Sequence, residues 1–445
     1  MVRINSAQST ENFLAPLRSG LWYEWLWIGA LVVLPFASYL SLTILVALMI
    51  SALVQRGHAI GHVLWRQGYG LLTVGLLASA GFAVNRGDAW LQLANFLPYF
   101  LLVGVLTTAP RFRPPSQLLT RAALALVLGS LPFSVAALIE YIVRFPTITA
   151  QVSDWSMFNW VFDVSFAGHR AHGGLSHPNI LSNYLTLVLG LGLGWLVGQA
   201  RSQPKSRPKL TPVMAAAVTL AGMGIFCTSS RNGLIAAVIL LLIAGYLARR
   251  HRWVWMLGLV IFSAMATGLF FMGFGGRTLD LALFTQDPRI AAWRIAIDLI
   301  QQRPLVGWGL GGFSHQYVPF SVTDHERLFH PHNLWLYLAC DTGIPTMVLF
   351  CGVVGRSYIA GLRRLVARPN QTLLSYLLGF TGCMIFALFD VTLFDARLNV
   401  LSWFLLAGIG VLAQRDDWPT TKPSQESLSS TDRSKPDSPR TSPQN

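Results

Sequence analysis

The chain has 445 residues, of which 53% are hydrophobic and only 12% are charged. Soluble globular proteins carry about 25% charged residues, so this composition excludes a soluble multidomain enzyme and a disordered scaffold. The formal net charge is +14, but the basic residues lie in short stretches between apolar runs. That distribution excludes a nucleic-acid-binding patch and is typical of the cytoplasmic loops of a membrane protein.

Apolar runs recur along the chain at about 20 residues each, the length that crosses a bilayer as a helix. We therefore predict an all-α polytopic membrane protein with about 12 transmembrane helices. The predicted spans, in chain order, are 21–37, 39–54, 69–85, 89–108, 120–143, 177–198, 211–228, 232–248, 253–273, 333–355, 372–390 and 397–413.

The Lys and Arg residues predict which helix ends face the cytoplasm. With both termini inside, 23 of the 33 basic residues fall on the cytoplasmic side and 10 on the exterior side. This asymmetry is the one expected of a membrane protein with both termini in the cytoplasm. We predict a transmembrane domain over 1–413 with exterior loops at about 144–176 and 274–332. The tail 414–445 is rich in Ser, Pro and Thr, which predicts a disordered cytoplasmic segment.

The second exterior loop is predicted to contain short helices. Asp287-Pro288 is typical of a helix start, and the helix is expected to end before Pro304. Its predicted apolar stripe consists of Ile290, Trp293, Ile297 and Ile300. The glycine-rich stretch 307–312 follows, where backbone can approach a ligand closely. No strand–turn–helix context surrounds these glycines, so a dinucleotide site is excluded.

Three clusters of residues have the chemistry of a site, and each has a structural alternative. Ser230-Arg231 lies at the exterior junction of two spans, although an arginine there can also snorkel to lipid headgroups. Arg289 stands at a helix N-terminus, where it can bind an anion or be an ordinary solvated side chain. The third cluster is His330-Pro331-His332-Asn333. A histidine pair can bind a metal, but no carboxylate or cysteine lies at a matching spacing, so we favour a site without metal.

Together these clusters resemble the bacterial O-antigen ligase/polymerase superfamily over about residues 170–415. His332-Asn333, nine further residues, then Gly343 and Thr346 match the histidine motif of that family. Ser230-Arg231 matches its exterior arginine. Its second arginine and glycine turn are matched by the series Arg289, Trp293, Pro304, Gly307, Gly309 and Phe313.

The resemblance implies an inverting, metal-independent glycosyltransferase without a cofactor, with a membrane fold related to the GT-C type. Such enzymes take a glycan from an undecaprenyl-diphosphate donor at the outer face of the bacterial inner membrane. The acceptor is lipid A-core in the ligases, another lipid-linked repeat in the polymerases and a protein hydroxyl in related members. Membrane lipids would surround the enzyme.

The resemblance also implies the parts played by individual residues. Arg231 and Arg289 would hold the diphosphate, with Ser230 and Asn333 beside the substrate, and His332 would activate the acceptor hydroxyl. Asp390 stands where ligases have an acidic residue. These residue types suit glycan transfer, because arginines stabilise a departing diphosphate and histidine is a base near neutral pH.

A transporter is the principal alternative, since the superfamily includes members described as inorganic-carbon transport proteins. A transporter would place ionisable residues at the membrane midplane in broken helices. Here the candidates within spans are Glu140 and Asp341, each near a span end. The residues capable of chemistry are concentrated on the exterior side, which favours the enzyme.

Overall fold

The computed structural model describes residues 21–109, 115–143, 170–202, 210–272, 288–317 and 328–414. Over these residues the chain is helical and contains no strand, which confirms the predicted all-α class. The α-helices are α1 (Leu21–Val33), α2 (Ser38–Gln67), α3 (Tyr69–Gly81), α4 (Arg86–Gln92), α5 (Leu97–Thr107), α6 (Pro115–Gly129), α7 (Leu131–Val143), α8 (Pro178–Ser202), α9 (Leu210–Cys227), α10 (Arg231–Leu247), α11 (Arg252–Met272), α12 (Pro288–Gln302), α13 (Gly312–Tyr317), α14 (Leu334–Thr342), α15 (Ile344–Ala367), α16 (Gln371–Ala387) and α17 (Ala396–Ala413).

Eight helical stretches of the described chain are long and apolar enough to cross a membrane. They are Ser38–Gln67, Arg86–Thr107, Gln117–Val143, Pro178–Ser202, Leu210–Cys227, Arg252–Phe271, Ile344–Ala367 and Ala396–Ala413. Four shorter apolar helices coincide with the remaining predicted spans: Trp22–Val33, Tyr69–Gly81, Arg231–Leu247 and Gln371–Ala387. The chain is thus a multi-pass membrane protein, and the count of about 12 spans stays a prediction.

Two predicted boundaries differ from the structure. The expected loop after residue 54 is helical as far as Gln67, with a kink at Arg56 whose guanidinium bonds to the carbonyl of Thr108. The predicted span 333–355 is broken at Gly343, where φ is +81°. A side chain at Gly343 would collide with the backbone of Leu305, so the close approach of that loop requires glycine and ends α14.

Helix α8 forms the centre of the bundle. Of its most apolar 18 residues, 94% are buried, compared with 17% in α11. Gly190, Gly194 and Gly198 repeat every four residues on α8 and face α16, where an added Cβ would meet backbone atoms. Small residues at this spacing let two membrane helices pack with their backbones in close approach.

The close packing of α8 and α16 brings specific ends of the two helices together. Gln371, at the start of α16, donates to the carbonyl of Trp195 near the end of α8. The helices are therefore antiparallel, and the start of α8 lies beside the chain that leaves α16 after Ala387. This neighbourhood contains the candidate site.

Helix α12 begins at Pro288, as predicted, and ends at Gln302. Its buried face differs from the predicted stripe, because Ala292, Ala296 and Leu299 are buried and Ile297 is 44% exposed. The buried face packs on Phe313 and Cys340. Small alanines bring α12 close to α13 and α14, a contact that apolar periodicity alone does not identify.

The glycine turn after α12 rests against the end of α14. Gly307 has φ +69°, and Trp308 N donates to the carbonyl of Cys340. The buried carboxylate of Asp341 accepts from the backbone N–H groups of Gly311 and Phe313 at 2.7 and 2.9 Å. Asp341 thus stabilises the glycine turn, and this structural role accounts for the presence of a buried acid.

Candidate functional site

The predicted site residues converge on the short segment 388–390, directly after α16. The carbonyl of Leu388 accepts from Asn333, and the carbonyl of Phe389 accepts from Asn232. The carboxylate of Asp390 contacts His332. The segment 388–390 therefore contacts side chains that lie more than 50 residues away from it in sequence.

His332 lies immediately before α14 in a backbone conformation that is uncommon for a residue with a side chain. Its φ is +49°, and its N–H donates to Nδ1 of His330 at 3.2 Å. Non-glycine residues with positive φ cluster at functional sites, because the surrounding structure must hold them there. This backbone directs Nδ1 of His332 to Oδ1 of Asp390, 3.3 Å away.

The pairing with Asp390 has consequences for the protonation of the histidine ring. If Nδ1 carries the proton and donates it to the carboxylate, Nε2 keeps a lone pair and can act as a base. Asp390 also accepts from the N–H of Val391 at 2.9 Å and from Asn179 at 3.4 Å. The Val391 and Asn179 donors thus orient the carboxylate toward the His332 ring.

The electrostatics of the two neighbours of His332 favour this arrangement. Burial tends to raise the pKa of Asp390, but the hydrogen bond and charge of His332 outweigh it and lower that pKa to about 2. Burial, together with the charges of His332 and Arg289, lowers the pKa of His330 to about 4. Around neutral pH the site thus contains an ionised Asp390 and a neutral His330.

Arg289 reaches the same segment through an asparagine. Its guanidinium NH1 donates to Oδ1 of Asn232 at 3.0 Å, and Nδ2 of Asn232 donates to the carbonyl of Phe389 at 3.2 Å. Arg231, half-buried, is the first residue of α10 and precedes Asn232. The turn that starts α10 therefore links the predicted arginines to the neighbourhood of Asp390.

The two serines before Arg231 are fully buried. Ser229 has φ +50°, and Ser230 has the N-cap position of α10 without a side-chain cap. Neither hydroxyl has a hydrogen-bond partner among the described residues. A strained turn with unsatisfied hydroxyls beside an arginine is suited to receive a polar ligand.

Asn333 has a structural task as well as its place in the motif. Its Oδ1 caps α14 by accepting from the N–H groups of Trp335 and Leu336, each at 3.0 Å. Its Nδ2 donates to the carbonyl of Leu388. Both ends of the amide are thus engaged within the protein, so Asn333 positions His332 relative to Asp390.

A cavity of about 380 Å³ opens beside His332 and Asp390. This volume lies in the range of small-molecule sites, about 300–1,000 Å³. Besides the histidines it is lined from α8 and its approach by Ser176, His177, Asn179 and Asn183. Sequence reasoning missed these residues, although the polar series Ser176-His177-Pro178-Asn179 at the start of an apolar span is a signal that could have found them.

Arg170 extends the hydrogen-bonded chain behind the cavity. Its guanidinium donates to the carbonyl of Thr228 at 3.1 Å and to Oδ1 of Asn179 at 2.8 Å. Asn179 in turn faces Asp390. Arg170, Asn179, Asp390 and His332 therefore form a continuous series of polar contacts.

His330, His332 and Asp390 also have the composition of a metal-binding cluster. One ligand atom from each lies within 4.8 Å of the others. No carboxylate stands at a metal-ligand spacing from the histidines in the sequence. The fold nevertheless brings the carboxylate of Asp390 next to them. Imidazole and carboxylate ligands of this kind suit Zn²⁺.

Some predicted features lie outside the described residues. They are the helix cap Asp287, most of the 144–176 loop, parts of 274–332 and the tail from 415 onward.

Comparison with known proteins gives one family. Residues 215–351 match the family model Wzy_C, described as O-Antigen ligase. The matched segment contains Ser230, Arg231, Arg289, His332 and Asn333, whereas Asp390 and the cavity-lining residues of α8 lie beyond it. No curated protein sequence matches the chain. Residues 215–351 thus carry an O-antigen ligase domain, which supports the resemblance of the chain to that superfamily.

Proposed function

From the match of residues 215–351 to the O-antigen ligase family model, we propose that this membrane protein is an inverting, metal-independent glycosyltransferase. It transfers a glycan from an undecaprenyl-diphosphate donor to an acceptor hydroxyl, of lipid A-core in the ligase reaction, at the exterior face of the bacterial inner membrane. The observation that carries the proposal is the His332–Asp390 pair beside a cavity. Arg289 is linked to the neighbouring residue Phe389 through hydrogen bonds of Asn232.

The proposed reaction is a single displacement. Nε2 of His332 takes the proton of the acceptor hydroxyl while its oxygen attacks the anomeric carbon of the donor sugar. The bond between that carbon and the diphosphate oxygen breaks, and undecaprenyl diphosphate leaves with the electron pair. Attack from the face opposite the leaving group inverts the anomeric configuration.

The charges of the site suit such a step. A departing diphosphate gains negative charge, and arginines bind its oxygens through a planar fork of N–H donors. Arg231 and Arg289 would supply this stabilisation without a metal. Asp390 would stabilise the imidazolium that forms on His332 and keep the ring in the reactive tautomer.

The direct test is transfer by purified protein in proteoliposomes. The donor is a synthetic undecaprenyl-diphosphate glycan, and the acceptor is lipid A-core without O-antigen. We expect a larger lipopolysaccharide product with inverted anomeric configuration. Growth of the lipid-linked glycan instead would identify a polymerase, and bicarbonate uptake without either product would overturn the proposal.

The exterior location of the site needs a separate test. Single cysteines at the exposed positions Asp298, Gln302 or Phe329, in a variant without the four native cysteines, should react with a membrane-impermeant reagent added outside the inner membrane. A cysteine at Ser202 should react only after permeabilisation. The reverse pattern would contradict an exterior active site.

A further inference from the structure

The first turns of α8 present polar side chains to the cavity that the proposed mechanism does not use. Asn179 and Asn183, four residues apart, lie on one face of the helix and line the same space as His332 and Asp390. Both lie outside the segment that matches the ligase family. Their functions therefore have to be inferred from their own surroundings.

Asn179 is held by the protein. Its Oδ1 accepts from Arg170 at 2.8 Å, its Nδ2 faces Asp390 at 3.4 Å, and its N–H donates to Nδ1 of His177. Its amide is committed at both ends. Asn179 therefore supplies a rigid wall at the outer end of the helix.

Asn183 is in the opposite situation. Its side chain is buried, with 1% exposure, yet neither Oδ1 nor Nδ2 has a hydrogen-bond partner among the described residues. A buried amide without partners is costly, and folded proteins retain very few. An amide that lines a cavity without a protein partner is suited to bind a ligand that brings both a donor and an acceptor.

The rest of the lining indicates what kind of ligand fits. Phe386, Leu398 and Ile180 contribute apolar surface to the cavity. A pyranose ring combines hydroxyl or acetamido groups on its edge with C–H groups on its faces. Such a ring can bond to the amide at its edge and pack its faces on the apolar side chains.

We propose that Asn183 binds the sugar ring next to the diphosphate, through a ring hydroxyl or acetamido group. This assignment rests on the proposed function, because it takes the donor to be a lipid-linked glycan. It makes Asn183 a residue that determines which donor sugar is accepted and that holds the anomeric carbon in the cavity shared with His332.

The test compares the affinity of purified protein in nanodiscs for lipids with and without a sugar. The probes are undecaprenyl diphosphate alone and undecaprenyl diphosphate bearing glucose, galactose, N-acetylglucosamine or N-acetylgalactosamine. With the wild-type protein, at least one sugar should improve affinity by about tenfold, the effect of one good hydrogen-bonded contact. Asn183→Ala and Asn183→Leu should reduce that gain to less than about threefold.

Ser182→Ala is the matched control. Ser182 is also fully buried, is adjacent on α8 and has an unpaired hydroxyl among the described residues, but it does not line the cavity. This variant should keep the full gain from the sugar. Unchanged affinity for the sugar-free lipid in the Asn183 variants would show that they are folded.

The outcomes separate the two proposals. If wild-type protein gains affinity from a sugar and both Asn183 variants keep the gain, or if none of the four sugars adds affinity, the sugar-binding assignment is overturned while the glycosyltransferase can stand. If the protein also fails to bind undecaprenyl diphosphate, the proposed function itself is overturned. Equal loss in Ser182→Ala would attribute the effect to helix packing and contradict the assignment.

Discussion

Nδ1 of His332 lies 3.3 Å from Oδ1 of Asp390, a residue 58 positions later in the chain. Both side chains are only partly exposed, at 25% and 16%. The carboxylate is oriented by further donors, so the ring is held from a fixed direction. This relationship turns an isolated histidine motif into a paired base.

The first prediction concerns the two members of this pair. His332→Ala should lower the transfer rate by about 10²–10⁴-fold, the usual contribution of a general base. Asp390→Asn should lower it by about 10–100-fold, because the amide can no longer stabilise the charged ring. Steady-state transfer in proteoliposomes measures both.

The double variant of His332→Ala and Asp390→Asn distinguishes a dyad from two independent residues. If Asp390 acts through His332, the second change should add little to the first. Multiplied losses would show that Asp390 contacts the substrate on its own account.

The second prediction concerns the arginines. Arg231→Lys and Arg289→Lys retain the charge but lose the planar fork that grips two phosphate oxygens. Each should lower the transfer rate about 10-fold or more, with folding unchanged. Binding of undecaprenyl diphosphate should weaken in parallel.

Arg294→Lys is the matched control on the same helix. Arg294 is exposed, and we expect near wild-type transfer. Arg303 is less suitable, because its guanidinium stacks over the Trp308 ring at 4.2 Å. Similar losses at all of these positions would indicate membrane anchors and not ligands.

The third prediction separates a base from a metal centre. Transfer should persist after dialysis against a chelator, and His330→Gln should retain most activity. Zinc ions at high concentration should inhibit, since His330, His332 and Asp390 can bind them. Activity that is lost on chelation and restored by one metal, together with a loss in His330→Gln as large as in His332→Ala, would favour a metal centre.

The fourth prediction concerns stability in acid. Because the folded protein lowers the pKa of His330 from 6.5 to about 4, the unfolded chain binds a proton in this window that the folded protein does not. Stability from this residue is therefore present above pH 6.5 and is lost as the pH falls toward 4. The Tm should drop by a few degrees between pH 7 and 5.

His330→Gln should flatten that dependence on pH. Below pH 4 a further loss is expected from Asp390, whose pKa is lowered from 3.8 to about 2 in the folded protein. The control is His62→Gln, at an exposed histidine, which should leave the profile unchanged. A wild-type Tm that is constant from pH 7 to 5 would contradict a buried, neutral His330.

The fifth prediction concerns the central helix pair. Gly194→Ala places a methyl group against the backbone of Ser375 and 2.7 Å from the carbonyl of Leu374. Such overpacking should cost about 1–3 kcal/mol and separate α8 from α16. Thermal unfolding in detergent measures the loss.

Transfer should also fall in Gly194→Ala, because the two helices position Asn179 and Asp390. Gly258→Ala is the control, since nothing lies within 4 Å of the added methyl group. Equal stability of the two variants would show that the helix contact is more adaptable than its geometry indicates.

The sequence by itself determined the helical membrane class, the resemblance to the O-antigen ligase family and the motif residues. Long apolar runs need no tertiary information, because a bilayer satisfies only helices with internal backbone hydrogen bonds. The motifs were recognisable because His332-Asn333 and the arginines are grouped locally along the chain.

The tertiary structure alone decided which residues meet. Asn179 and Asn183 join Asp390 in the site because glycines on α8 allow close contact with α16, and no local pattern reports a contact between segments 200 residues apart. The predicted apolar stripe of α12 differs from its buried face for the same reason, since its alanines are buried by the helices that pack on them. Periodicity identifies an apolar face, whereas the shape of the neighbouring helices decides which small residues are buried.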